Sequence, residues 1–246
     1  MKQSVFITVL LVVATVISVL IYMYLLPDFI KDGGPLVVVL IILTIMVATF
    51  IFERLFSLRK AQGTGSLGVF LRQVQQHIND GAIDEAIAAC DKQRGSCANI
   101  LRTGLDRYRV LKSEGDVVGQ REILEKVQQS INESMMLEVP LLEKNLVALS
   151  TIASIATMVG LLGTTIGMIR AFRALAHSGA PDAVQLSIGI SEALINTAGG
   201  LIAAIAGIVA YNFFTTKVDN FTYMIDEASY SIVQSLTVNP VKTRNR

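Results

Sequence analysis

The chain has 246 residues, of which 52% are hydrophobic and only 17% are charged, and its mean hydropathy is +0.55. This composition is too apolar for an ordinary soluble domain and indicates an integral membrane protein. The formal net charge is +1, and no basic patch is interleaved with aromatic residues, so we expect no nucleic-acid partner.

Four apolar stretches are long enough to cross the hydrocarbon core of a lipid bilayer, which takes about 20 helical residues. The sequence therefore predicts an all-α, polytopic membrane protein with four transmembrane helices. The predicted spans are Val5–Leu26, Leu36–Phe52, Leu146–Leu175 and Val184–Phe214. The third and fourth spans are long enough to project beyond the membrane.

Basic residues predict the orientation, because lysine and arginine favour cytoplasmic loops. If both termini are cytoplasmic, the outer side keeps only Lys31, with Arg170 and Arg173 near the outer end of the third span. In an alternative interpretation residues 1–26 are a cleaved signal peptide. The lack of a small-residue cleavage site after the apolar run favours a retained helix.

We predict four regions in chain order: two N-terminal spans (1–53), a cytoplasmic helical domain (54–145), two long membrane helices (146–214), and a cytoplasmic helical extension with a tail (215–246). The two long helices are predicted to extend into the cytoplasmic helical domain. No β-type alternation of apolar and polar residues persists anywhere, so we expect no sheet.

Within the cytoplasmic domain, helical patterns cover Val69–Ile78, Ile83–Asp91 and Ala98–Leu111, separated by turn residues. A further helix is predicted to start at Asp116 and to run directly into the third span. We expect a kink at Pro140 inside it, because proline lacks an amide hydrogen.

After the fourth span, apolar residues recur at steps of three and four, which predicts a buried helical seam. The seam consists of Phe214, Val218, Phe221, Ile225, Ala228 and Ile232. We expect it to pack on the helix that begins at Asp116 or on a neighbouring subunit.

Small residues recur along the third and fourth spans at a spacing that lets helix backbones approach closely. They are Gly160, Gly163, Gly167, Gly199, Ala203 and Gly207. We interpret this set as helix packing, because small residues alone do not indicate transport.

A single carboxylate, Glu192, lies in the apolar run from Ser187 to Ala210. An ionised side chain in a spanning helix costs about 2.5–3.5 kcal/mol, so a lipid-facing position is disfavoured. The alternative is a side chain near the helix end that snorkels to the interface. The same two helices also carry polar residues, namely Thr164, Thr165, Asn196 and Thr197. Each hydroxyl alone could simply bond its own helix, but together with the acid they predict a polar surface.

The sequence predicts no cofactor and no metal site. Cys90 and Cys97 match no common zinc spacing, and His77 and His177 are predicted to lie on opposite sides of the membrane. The usual signatures of metalloproteases, hydrolases and nucleotide-binding enzymes do not occur either, so we do not expect an enzyme.

Two runs of sequence, Leu161–Met168 (LLGTTIGM) and Ile190–Leu201 (ISEALINTAGGL), resemble the MotA/TolQ/ExbB proton-channel family, and within it the ExbB branch. The resemblance extends over roughly residues 36–232, and these two membrane motifs are its most specific part. It implies that Thr164 and Thr197 are pore threonines and that Glu192 is the family's acid.

The resemblance also implies partners and a location. ExbB-like chains form a homopentamer in the bacterial inner membrane, around an ExbD-like single-span protein whose membrane aspartate carries the proton. The resulting motor uses the proton motive force to energise a TonB-like protein and outer-membrane transport. A TolQ-like role in envelope maintenance and a non-conducting scaffold are the alternatives.

This chain departs from the family pattern at several positions. Thr157 and Ala206 stand where the family usually has prolines, so kinked hinges are not expected there. Ser96-Cys97 replaces a Ser-Pro step. The first span is extra, because the common ExbB-like pattern has three.

Overall fold

The computed structural model describes residues 3–113, 119–177 and 183–238, and every regular element within these ranges is helical. The all-α prediction is confirmed. The helices are α1 (Gln3–Leu20, followed by a π-helical turn, Ile21–Leu25), α2 (Asp28–Lys31), α3 (Leu36–Gln62), α4 (Leu67–Asn79), α5 (Ile83–Gln93), α6 (Ser96–Ser113), α7 (Gln120–Glu143), α8 (Leu146–His177) and α9 (Ala183–Val238).

Four segments of the described chain are long and apolar enough to cross a membrane, as predicted, and they contain α1, α3, α8 and α9. Both α8 and α9 run without interruption through the positions where the family usually has proline, Thr157 and Ala206. Most large apolar side chains of α1 are exposed, but Ala14 and Ser18 are fully buried on one face. This exposure suits a helix whose remaining surface meets lipid.

Contacts divide the chain into two compact units. The membrane unit comprises Met1–Glu53 and Asn145–Phe214, and the helical domain comprises Arg54–Lys144 and Thr215–Arg246. Helices α3 and α9 each contribute residues to both units.

The core of the helical domain comes from apolar faces with helical spacing. On α4, Phe70, Val74 and Ile78 recur every four residues and are all buried. Helices α6 and α7 approach closely at Gly104, where a Cβ atom would lie 2.8 Å from the Cδ1 atom of Ile131. A larger residue at this position would push the two helices apart.

The predicted seam on α9 is confirmed, because each of its six residues is at most 8% exposed. It continues one turn further to Leu236, which is fully buried. Hydrogen bonds within the domain fix this segment: Gln75 Nε2 donates to Ser231 Oγ at 2.8 Å, and Gln120 Nε2 donates to the Leu236 carbonyl at 3.4 Å. The α9 extension therefore packs on α4 and α7 of its own chain.

The expectation of one helix running directly into the third span is wrong. Helix α7 passes through Pro140 but ends at Glu143, and Asn145 adopts a left-handed φ of 65° before α8 begins. Asparagine tolerates this conformation better than most residues, so it suits a helix end. The predicted start at Asp116 lies outside the described residues.

Residues of α3 stabilise this helix break in each unit. In the helical domain, the buried Arg54 donates from Nη1 to the Leu142 carbonyl at 3.1 Å, which satisfies one of the last carbonyls of α7. In the membrane unit, Asn145 Nδ2 donates to Glu53 Oε2 at 3.3 Å.

Candidate functional site

Helices α8 and α9 form a hairpin whose backbones touch at glycines. A Cβ atom on Gly167 would lie 2.6 Å from the Gly189 carbonyl oxygen, and one on Gly200 would lie 2.6 Å from the Ala156 carbonyl oxygen. Gly160 likewise meets the backbone of Asn196, Thr197 and Gly200, whereas the space beside Gly163 is filled by the Asn196 side chain. Because these glycines let the helices approach closely, polar groups on one helix lie directly against the other.

The small residues of the fourth span, Gly199, Ala203 and Gly207, do not all contact the third span. A Cβ atom on Gly199 would lie 3.2 Å from Leu40 Cδ1 of α3, so this glycine serves the packing of the second span. One on Gly207 would lie 2.7 Å from the Ala153 Cβ atom of α8. Ala203 is fully buried.

The hydroxyl groups of Thr164 and Thr197 hydrogen-bond to each other across the hairpin. Thr197 Oγ1 also lies 3.1 Å from the Ala193 carbonyl, and Thr164 Oγ1 lies 3.4 Å from the Gly160 carbonyl. Each carbonyl is 3.5 Å from the opposite hydroxyl as well. Two hydroxyl protons thus face more acceptors than they can fill at once, so the hydroxyls can exchange partners by rotating without a backbone shift.

Asn196 directly precedes Thr197 in the chain and is fully buried. Its Nδ2 donates to the Gly33 carbonyl at 2.8 Å and to the Glu192 carbonyl at 2.9 Å. Its Oδ1 is buried and accepts no hydrogen bond from the described residues. Leaving such a buried acceptor unpaired costs about 1–3 kcal/mol.

Glu192 forms an ion pair with Arg170 of α8. Arg170 Nη1 lies 2.5 Å from Glu192 Oε1, and the glutamate side chain is only 4% exposed whereas the arginine side chain is 54% exposed. The snorkelling interpretation of Glu192 is therefore wrong, because its carboxylate turns toward α8 instead of outward. A charge-assisted bond of this kind compensates a buried carboxylate.

The turn between the first two spans covers this ion pair. A Cβ atom on Gly34, whose φ is 71°, would lie 2.9 Å from Glu192 Oε1 and 3.7 Å from Arg170 Nη1. A Cβ atom on Gly33 would lie 2.8 Å from Ile195 Cγ2. The bare backbone of this turn therefore lies flat on α9, a contact that any other residue type would obstruct.

Thr165 is separate from this cluster. Its side chain is exposed, and Oγ1 donates to the Leu161 carbonyl of its own helix at 3.1 Å. The structure thus brings the half-buried Thr164 and Thr197 together with the buried Glu192 and Asn196, and leaves Thr165 on the outside of the single chain.

Sequence patterns did not single out Arg170, Gly33 or Gly34 as site residues. Periodicity carries no signal for Arg170, because its pairing with Glu192 depends on the register between α8 and α9. It carries none for the glycines either, because their contact with α9 joins residues more than 150 positions apart.

A model of the MotA/TolQ/ExbB proton channel family matches residues 92–227, which include all of α8 and most of α9. The Tol-Pal system protein TolQ of Pseudomonas aeruginosa is 29% identical over 191 residues, which cover 76% of this chain and 81% of that protein.

Relatives named biopolymer transport protein ExbB are also similar. The protein of Pseudomonas putida is 23% identical over 201 residues, which cover 82% of this chain and 60% of that protein. The protein of Helicobacter pylori is 45% identical over 78 residues, which cover 32% of this chain and 54% of that protein.

Proposed function

Because the chain belongs to the MotA/TolQ/ExbB proton channel family, we propose that it is an ExbB-like subunit of a proton-driven motor. With an ExbD-like partner, the motor uses the proton motive force to energise TonB-dependent outer-membrane transport. The four spans and the family indicate a multi-pass inner-membrane protein. We further propose cytoplasmic termini, as the basic residues predict. The proposed role is a transport subunit and not an enzyme.

The Thr164–Thr197 hydroxyl pair is the observation that carries this proposal. It provides exchangeable donors and acceptors between two helices that pack closely through glycine and alanine. The preceding residue, Asn196, has a buried acceptor, Oδ1, that is unpaired among the described residues. The hydroxyls can donate to water or to a partner's carboxylate, but neither a hydroxyl nor an amide ionises at neutral pH. The proton-carrying acid is therefore proposed to belong to the ExbD-like single-span partner.

Energies are compatible with stepwise movement. A hydrogen bond between membrane helices contributes about 0.6–2 kcal/mol. Each proton that crosses a potential of 100 mV releases about 2.3 kcal/mol. One proton can therefore break one hydroxyl contact, so a partner helix could move from one threonine pair to the next in a ring of copies, for which we propose a pentamer. Thr165, exposed on the single chain, is proposed to line the lumen of that ring.

The proposal is tested with Thr197→Val, which replaces a hydroxyl by a methyl group of similar size. In cells that depend on this chain for energised uptake, we expect Thr197→Val to abolish uptake while the complex still assembles, and Thr197→Ser to retain it. Thr151→Val is the matched control, because Thr151 is exposed on the same hairpin and bonds only the Val147 carbonyl of its own helix. Full uptake in both Thr197→Val and Glu192→Ala would instead favour the non-conducting scaffold.

A TolQ-like role is the second candidate, and the 29% identity to TolQ over 81% of that protein favours it. Deletion of the gene separates the two. Loss of energised uptake with an intact envelope supports the ExbB-like role. Leakage of periplasmic proteins and sensitivity to detergents, with normal uptake, support a role in envelope maintenance. Co-purification of the chain with a single-span or TonB-like protein tests the proposed partners directly.

A further inference from the structure

The two members of the Arg170–Glu192 pair differ sharply in exposure. The carboxylate is 4% exposed, whereas more than half of the arginine side chain is accessible. The pair is therefore not a surface salt bridge, which would contribute little. It consists of a buried anion held by a cation that reaches in from the protein surface.

The surroundings of Glu192 leave the carboxylate little freedom. The Gly33–Gly34 turn covers it, with the position of a Gly34 Cβ only 2.9 Å from Oε1. Its main-chain carbonyl is bonded by Asn196, which is itself bonded to the Gly33 carbonyl. The charged side chain that contacts this carboxylate among the described residues is Arg170, at 2.5 Å from Oε1. The guanidinium thus fixes the direction in which the acid points.

We propose that Arg170 is a positioning residue for Glu192: it holds the carboxylate against α8 under the Gly33–Gly34 turn, about one and a half turns of α9 away from Thr197 of the threonine pair. This inference rests on the proposed motor function and assigns Arg170 a role within it. In this arrangement Glu192 acts as a fixed, compensated anion that orders the polar region, and Arg170 controls access to it from the surface.

The same turn gives the extra first span a place in the mechanism. Through the Gly33 carbonyl, the turn between the first two spans is bonded to Asn196, the residue that precedes Thr197. Displacement of the Glu192 side chain would disturb the turn above it, and with it the bond to Asn196. Arg170 therefore acts on the threonine pair through Glu192 and Asn196.

The test uses single substitutions at Arg170 and a double variant in which Arg170 and Glu192 are exchanged. In cells that depend on this chain, we expect Arg170→Gln to lower energised uptake by about tenfold or more, because it leaves a buried carboxylate without its cation. Assembly with the single-span partner, measured by co-purification, should persist. Arg170→Lys keeps a positive charge at that position and should restore part of the uptake. Arg173→Gln is the matched control, since it removes a positive charge from the same end of α8 and leaves the pair intact.

The exchanged pair, Arg170→Glu with Glu192→Arg, separates positioning from mere stabilisation. It restores an ion pair but moves the carboxylate to α8. Positioning predicts that the exchanged variant assembles but does not regain uptake. An exchanged variant that assembles and also regains uptake would overturn the proposal, because the pair would then be purely structural.

If the exchanged pair does not assemble, the single variants decide. Uptake that falls in Arg170→Gln with assembly intact, and partly returns in Arg170→Lys, supports positioning. Uptake that falls only in step with assembly, or stays at the wild-type level, overturns it. Failure of the motor function itself is recognised separately, because Thr197→Val and Glu192→Ala would then have no effect on uptake either.

Discussion

Gly167 and Gly189 face each other reciprocally across the α8–α9 hairpin. A Cβ atom on Gly167 would lie 2.6 Å from the Gly189 carbonyl oxygen, and one on Gly189 would lie 2.8 Å from the Gly167 carbonyl oxygen. Both obstacles are backbone atoms that cannot rotate away. We expect Gly167→Ala to destabilise the chain by about 1–3 kcal/mol or more, because even one methyl group separates the helices.

Gly68 is the matched control for this substitution. It also lies in a helix, but nothing is within 4 Å of a Cβ atom there. Gly68→Ala should therefore stabilise the chain by up to about 1 kcal/mol through helix propensity. Thermal unfolding of the purified variants in detergent, followed by circular dichroism, measures both effects. Equal unfolding midpoints for the two variants would contradict this prediction, because they would show that α8 and α9 can move apart without loss of stability.

The sequence alone predicts those parts of the fold whose defining pattern is local. The α9 seam from Phe214 to Ile232 follows from helical periodicity alone, and so do the four spans. The break at Asn145 was missed, because the apolar pattern continues on both sides and the break depends on one left-handed residue. The Arg170–Glu192 pair and the covering turn at Gly33 depend on helix register and on contacts between distant segments, which periodicity does not encode.

Arg54 should contribute strongly to the stability of the helical domain. It is 1% exposed and donates to the Leu142 carbonyl near the end of α7. Arg54→Leu leaves this buried acceptor unpaired, so we expect a loss of about 1–3 kcal/mol in the free energy of unfolding. Arg59→Leu is the control, because Arg59 is exposed on the same helix. Comparable unfolding midpoints for the two variants would contradict the assigned role of Arg54.

The two cysteines should make the helical domain sensitive to alkali. Burial raises the pKa of the Cys90 thiol from 9.0 to about 12, with a further contribution from Asp91, and burial likewise raises the pKa of the Cys97 thiol to about 12. The folded thiols keep their protons where the unfolded chain loses them. This contribution to stability is therefore complete below about pH 9 and is lost as the pH rises towards 12.

Thermal unfolding at about pH 8 and about pH 10 measures this dependence. We expect the wild-type midpoint to fall more between these values than the midpoint of a Cys90→Ala, Cys97→Ala double variant. Lysine and tyrosine titration affects both proteins alike, so the difference isolates the thiols. A thiol-reactive fluorogenic maleimide should label the wild type only on unfolding, since both cysteines are buried. Rapid labelling of the folded protein would contradict this prediction.

The last turn of α9 should stabilise the helical domain beyond the predicted seam. Leu236 is fully buried, and its carbonyl accepts from Gln120 of α7. Leu236→Ala removes buried apolar volume and should cost about 2–5 kcal/mol. The neighbouring Thr237 is exposed, so Thr237→Ala should change stability by less than about 0.5 kcal/mol. Proteolysis of the folded protein, with the fragments identified by mass spectrometry, would show cleavage near the α9 end only in Leu236→Ala.

Gly34, in the turn between the first two spans, lies against the carboxylate of Glu192. A methyl group at this position should therefore impair function more than stability. In Gly34→Ala the new carbon would lie 2.9 Å from Glu192 Oε1, and the left-handed φ of 71° adds backbone strain. The clash falls on a side-chain oxygen and not on backbone, so we expect the glutamate side chain to be pushed away from Arg170 while the helices stay in place. We expect reduced energised uptake with normal assembly. Gly81→Ala is the control. Gly81 has a φ of 75° in the turn after α4, so the substitution imposes similar backbone strain, but Gly81 belongs to the helical domain and Glu192 to the membrane unit. Because only Gly34 also contacts the acid, an equal loss of uptake in both variants would attribute the effect to strain and not to the displaced carboxylate.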